Sequence, residues 1–88
     1  MSDFKIAETK EFEKNIKKLD SKIYTKIKNI VYPQLKKNPF YGINIKKLKA
    51  EYKDVCRYRI GNYRLFYIIC NDNDIVIVTI IINRQNEY

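Results

Sequence analysis

Arg57, Arg59 and Arg64 are the residues whose type and spacing point most directly to chemistry in this 88-residue sequence. A guanidinium is a planar fork of donors that stays charged at any physiological pH, and it matches the oxygens of a phosphate. Arg57 and Arg59 are two positions apart and so share one face of a strand. Gly61-Asn62 then reads as a two-residue hairpin loop, which sets Ile60 opposite Tyr63, Arg59 opposite Arg64, Tyr58 opposite Leu65 and Arg57 opposite Phe66. The arginines fall on one face, while Cys56, Tyr58, Ile60, Tyr63, Leu65, Tyr67 and Ile69 fall on the other. Like charges directly opposite across strands destabilise by a few tenths to about 1 kcal/mol. Folding alone therefore does not ask for the Arg59–Arg64 juxtaposition, and an anion would resolve it. A plainer reading is that these arginines keep an edge hairpin soluble, Arg-x-Arg being a weak motif on its own.

The elements that must position this hairpin are legible as changes of period. Residues 3–7 read as a short first strand. From Thr9, the apolar residues Phe12, Ile16 and Leu19 recur at helical spacing among Lys and Glu. Asp20-Ser21 marks a break and a new N-cap. A second helix presents Ile23, Ile27, Ile30, Val31 and Leu35 as one stripe, with a kink or break expected near Val31 because Pro33 removes a backbone donor. Asn38-Pro39 ends it, and GINIKKLKAEYKD reads as a basic loop. VCRYRI and YRLFYIIC form the hairpin, and a turn NDND precedes IVIVTIII, a near-continuous apolar run typical of a central strand covered on both faces. The expected architecture is α+β, ordered β-α-α-β-β-β, with two N-terminal helices on a small antiparallel sheet in a single domain over residues 1–88.

Composition sets outer limits. Eighteen Lys/Arg against ten Asp/Glu give a formal net charge of +8, which suits a polyanionic partner. Apolar residues at 45%, with eight tyrosines and four phenylalanines, indicate a chain that folds rather than a disordered one. No run approaches the roughly 20 apolar residues of a membrane helix, and the N-terminal stretch lacks a signal-peptide core, so a cytoplasmic location is expected. The chain has no histidine, and Cys56 and Cys70 lack metal-type spacing, so both read as reduced, packed side chains. The register places Cys56 opposite Tyr67 and Cys70 near Lys53, which keeps the two thiols apart.

With these residues in view, NPFYG at 38–42, KKLK at 46–49, RYRIGNYRLFY at 57–67 and the ending NRQNEY at 83–88 resemble the RelE-type toxins of the RelE/ParE superfamily over nearly the whole chain. The resemblance implies a microbial-RNase-like sheet. It further implies a toxin that enters the ribosomal A site and cuts mRNA by attack of the ribose 2′-hydroxyl on the adjacent phosphate, with no metal or other cofactor. Carried over by residue, Arg64 is similar to the family's phosphate-stabilising arginine and Arg84 to its second arginine near the leaving group. Tyr88 is similar to the C-terminal tyrosine that stacks on a base or assists proton transfer. Lys46, Lys47 and Lys49 are expected to contact RNA or ribosome. Arg57 and Arg59 stand where better-studied members carry lysines, and a guanidinium with a pKa above about 12 is a poor general base. That leaves Tyr88, Lys47 and Lys49 as candidate bases, or electrostatic stabilisation alone.

Whether Arg84 reaches the same phosphate depends on a loop. A three-residue loop at Asn71–Asn73 gives it the parity of Arg64, whereas a four-residue loop through Asp74 puts it on the other face unless a bulge intervenes. The partners implied are a cognate antitoxin, acidic where it meets the arginines, the ribosome with its mRNA, and operator DNA for the toxin–antitoxin complex, with no membrane. Two other readings of the same fold stay open: a ParE-like inhibitor of DNA gyrase, and a non-enzymatic antitoxin-binding co-repressor.

Overall fold

The computed structural model describes residues 3–49 and 54–83. The elements are β1 (Lys5–Glu8), α1 (Lys10–Lys17), α2 (Ser21–Lys26), a π-helical turn (Ile27–Val31), α3 (Tyr32–Lys37), β2 (Ile45–Lys49), β3 (Asp54–Ile60), β4 (Tyr63–Cys70) and β5 (Ile75–Asn83).

Local chemistry accounts for the helices. Thr9 Oγ1 caps α1 by accepting from Phe12 N at 3.1 Å, and Asp20 caps α2 by accepting from Lys22 N at 3.0 Å. Glu11 and Glu13 in the first turn of α1 and Lys14 and Lys17 in its last complement the helix dipole. The second helical arm runs without a break through α2, the π turn and α3. The discontinuity expected near Val31 is thus a widened turn, in which Tyr32 N donates to Ile27 O five residues back. That turn lies immediately before Pro33, whose missing N–H and ring could not be accommodated in a regular α-helical ladder. It also rotates the apolar stripe. Ile23, Ile27, Val31 and Leu35 are buried together with Tyr32, whereas Ile30, expected in the stripe, is 55% exposed.

The α+β class and the two helical arms on one face of the sheet agree with the sequence reading. The sheet itself differs in two ways. It has five strands in the order β1-β5-β4-β3-β2, because the segment read as a basic loop forms β2, and it is mixed, because β1 lies parallel to β5. The core is the helix-facing side of the strands, with Cys56, Tyr58, Leu65, Tyr67, Ile69, Val76, Val78 and Ile81 packed beneath Phe12, Ile16 and the second arm. The two buried tyrosines on this side of the sheet have their hydroxyls satisfied: Tyr67 OH donates to Pro39 O and Tyr58 OH to Gln34 Oε1, both at 2.7 Å.

β5 departs from expectation. Its run was read as covered on both faces, yet Ile75, Ile77, Ile80 and Ile82 are only half-buried. Two helical arms can cover one face of a sheet, and among the described residues no helix lies on the other. The loop before β5 spans four residues, 71–74, with Asp74 in the left-handed region at φ 51°. A bulge on β5, facing the Phe66–Tyr67 step of β4, then shifts the register: Tyr67 pairs with Val78 but Phe66 with Ile80, which leaves Thr79 without a register partner on β4. Thr79 Oγ1 donates to Phe66 O at this point. Burial changes parity there, from Val76 and Val78 to Ile81.

Candidate functional site

The helix-free face of the sheet can be traced in rows across the strands. One row runs Arg59, Arg64, Ile82, and the next runs Lys46, Arg57, Phe66, Ile80. Beyond these come Val55, Ile68, Ile77 and Ala7, then Cys70, Ile75 and Lys5. The face is therefore divided, with the three arginines and Lys46 gathered at the hairpin end and mostly aliphatic residues beyond them, where Lys5 and Lys49 lie at the outer strands. The hairpin register is the one expected, including Arg59 across from Arg64. Gly61 occupies the first central position of the turn at φ +58°, a left-handed conformation that a primed hairpin turn requires and glycine adopts without strain.

Positive charge is concentrated at this end and partly withdrawn from solvent. Arg59 is exposed, but Arg57 and Arg64 are partly buried, and the Nε atoms of both are closed off from solvent. Among the described residues, Arg57 Nε has no acceptor. A buried donor left without a partner costs about 1–3 kcal/mol, more for a charged group. With Lys46 beside it in the same row, Arg57 contributes to a field that an anion lying on this face would satisfy.

The residues expected to act together are only partly assembled here. Arg57, Arg59, Arg64 and Lys46 share the face. Lys47 pairs with Cys56, a residue of the opposite, helix-facing side, so the register separates it from the arginines. A bulge between Lys47 and Lys49 returns Lys49 to register with Val55. Arg84 and Tyr88 lie outside the described residues. The parity question that governs Arg84 is answered as far as residue 82: the loop is the four-residue one, the bulge intervenes, and Ile82 pairs directly with Arg64.

Two features had no counterpart in the sequence reading. Glu8 on β1 accepts from Tyr24 OH at 2.9 Å and from Tyr32 OH at 2.7 Å, tying the first strand to the second helical arm. Burial and the Glu8 carboxylate push the Tyr24 phenol up to about 12, and the same causes, in the same order, raise that of Tyr32. The second feature is a hollow of ≈ 470 Å³ lined by Ile43, Asn44, Ile45, Lys46, Arg57 and Arg59. Its sequence signal was an apolar residue stranded between Gly42 and Asn44. The hollows around Glu8 lie on the β1 flank and contain none of the arginines.

A match to a described family, the ParE toxin of type II toxin-antitoxin system (parDE), extends over residues 6–87. Among solved structures, the chain is similar to the RelE–RelB complex of Pyrococcus horikoshii, with a TM-score of 0.83 at 19% identity, covering 98% of this chain and 99% of that one. It is also similar to the toxin–antitoxin complex RelBE2 of Mycobacterium tuberculosis, with a TM-score of 0.79 at 22% identity over 98% and 97% of the two chains. The RelB–RelE antitoxin–toxin complex of Methanococcus jannaschii gives a TM-score of 0.70 at 28% identity, covering 90% and 91%. A comparison with curated protein sequences found no match. Because the family match spans residues 6–87, nearly the whole chain, and the fold is shared with RelE–RelB structures, the chain belongs to the ParE toxin family of type II toxin–antitoxin systems, within the RelE/ParE superfamily.

Proposed function

We propose that this toxin is a ribosome-dependent mRNA endonuclease that uses no metal. The observation that supports it is the cationic end of the open sheet face, where Arg59 stands across from Arg64 and the partly buried Arg57 keeps an Nε–H without an acceptor among the described residues. In the reaction, the ribose 2′-oxygen bonds to the adjacent phosphorus as its proton leaves to a base. The bond from phosphorus to the 5′-oxygen breaks, and that oxygen takes up a proton. Charge accumulates on the non-bridging oxygens, where preorganised guanidinium donors stabilise it more than they stabilise the ground state. Arg57 and Arg64 carry this role, Arg59 and Lys46 hold flanking phosphates, and Arg84 and Tyr88 serve the leaving group and the stacked base. Proton abstraction falls to Tyr88 or Lys49 rather than to Lys47, whose register places it across the sheet from the arginines.

The related solved structures include toxin–antitoxin complexes. For this chain, a cognate antitoxin is proposed to cover the open face, its acidic groups over the arginines and its apolar groups over Phe66, Ile68, Ile75, Ile77, Ile80 and Ile82. Primer extension on translated mRNA, after induction of the toxin alone, should show cuts within codons that disappear when initiation is blocked. Intact transcripts on active ribosomes would remove the proposal. The ParE description of the matched family favours a second reading, inhibition of DNA gyrase without RNA cleavage, which a gyrase cleavage-complex assay separates from the first.

A further inference from the structure

The two large hydrophobics that are most exposed among the described residues lie in the loop that enters β2, and one of them, Ile43, lines a hollow together with Arg57 and Arg59. Tyr41 is 75% exposed and Ile43 100% exposed, both in the loop that enters β2, and Leu48 on β2 is 45% exposed. This loop is braced rather than slack. Tyr67 OH holds Pro39 O, Ile45 N donates to Gly42 O at 3.1 Å, and Arg59 N donates to Asn44 O at 2.9 Å. Gly42 sits so close to Gln34 that a Cβ there would lie 2.8 Å from Nε2. Ile43 and Asn44 are thus held in place at the rim of the hollow that Lys46, Arg57 and Arg59 complete. The Asn44 carbonyl is committed to Arg59, and its exposed side-chain amide has no hydrogen-bond partner among the described residues.

We propose that the Ile43–Asn44 corner is a nucleobase subsite, taking the base of a nucleotide next to the phosphate held by the arginines, with Asn44 reading the base edge and Ile43 covering its face. The inference rests on the proposal that the cationic face binds RNA. A hollow of ≈ 470 Å³ falls within the roughly 300–1,000 Å³ of small-ligand sites. The cations in its lining suit the phosphate and the apolar Ile43 suits the flat face of a base, as a positively charged groove and base-covering side chains do in single-stranded nucleic acid sites. A carboxamide presents one acceptor beside paired donors, which complements a base edge that carries a donor next to an acceptor, as adenine does. The subsite therefore supplies base preference, whereas the arginines supply affinity without regard to sequence.

Fluorescence anisotropy with homopolymeric RNA hexamers of each base, and with an abasic hexamer of equal charge, tests this on the intact toxin. Wild type should separate the hexamers by base. Asn44→Ala and Ile43→Ser should each lose about three- to tenfold on the preferred base, the worth of roughly one hydrogen bond or buried contact, while matching wild type on the abasic hexamer. Both positions are exposed, so the thermal midpoint should be unchanged, and Ile43→Ser keeps the test valid if Asn44→Ala disturbs the turn. Variants that bind every hexamer as wild type does, a wild type that ignores the bases, or one that binds no hexamer would each overturn the subsite. Base-dependent binding by a wild type that cuts no translated mRNA would instead remove the endonuclease proposal and leave the subsite standing.

Discussion

Arg64 pairs with Arg59 on one side and with Ile82 on the other, so its truncation separates electrostatic strain from function. Arg64→Ala relieves a like-charge contact of a few tenths to about 1 kcal/mol and forfeits some packing of its stem, so stability should move by no more than about 1 kcal/mol. Cleavage on programmed ribosomes should fall by about 10²–10³, the usual loss for one preorganised donor to a developing anion. Arg64→Lys should recover only part of that rate, since one ammonium cannot replace a bidentate fork. Thermal unfolding and single-turnover cleavage measured on the same preparations decide the matter. A variant that unfolds early and loses activity in proportion would make Arg64 structural.

Among the elements, β1 depends on something other than its own four residues. It is short and, among the described residues, pairs only with β5, and Glu8 fastens it to the helices through Tyr24 and Tyr32. Glu8→Ala removes the acceptor for two hydroxyls, one on the buried Tyr32, and should cost about 2–4 kcal/mol in urea unfolding. Glu8→Gln, which keeps the volume and one carbonyl oxygen, should cost about half as much; equal costs for the two would mean that a neutral acceptor of the same size rescues nothing and that the charged carboxylate itself is required. The pair also sets an alkaline limit. Because burial and Glu8 raise the folded-state pKa of Tyr24 from 10.0 to about 12, its contribution is fully present below pH 10 and declines as pH rises from there through 12. The unfolded chain loses its phenolic proton first. Urea midpoints from pH 8 to 11 should fall above pH 10, and less steeply in Tyr24→Phe; parallel profiles would show that Tyr24 is not responsible.

For the whole molecule, the division of the open face predicts how it associates and what it tolerates. Four cations on one end, Lys46, Arg57, Arg59 and Arg64, imply that the logarithm of affinity for single-stranded RNA falls with the logarithm of salt with a slope of about −3, at about −0.7 per phosphate contact. Arg59→Ala should make that slope shallower by about 0.7, and an unchanged slope would exclude Arg59 as a contact. The cysteines lie on opposite sides of the sheet: Cys56 is buried beneath the helices, and Cys70 pairs with Ile75 on the open-face row. They cannot reach one another without refolding. Reductant should leave the melting temperature where it is, and a shift of several degrees would contradict the observed register.

Local rules were enough for some of this. A two-residue turn with a glycine where φ must be positive permits one register, so the Arg59–Arg64 pair and the tyrosines of the opposite face were readable from Gly61 and the alternation around it. Capping residues and the 3.6-residue period located the helices for the same reason: the determinants lie within a turn of one another. Where the deciding partner lies far along the chain, the residues alone were silent. Lysines at 46, 47 and 49 looked like a solvated loop, but they guard an edge strand that exists because β3 offers it hydrogen bonds. Glu8 stands in no local pattern that singles it out, and only folding brings it to hydroxyls 16 and 24 residues away. The bulge at Thr79, which turns Ile80 and Ile82 toward the arginine face, has no mark in an unbroken aliphatic run, because a one-residue shift exchanges apolar side chains for apolar side chains. Residue types and short spacings thus determined the hairpin and its charge, while only tertiary pairing between distant segments decided which face that charge shares, and with what.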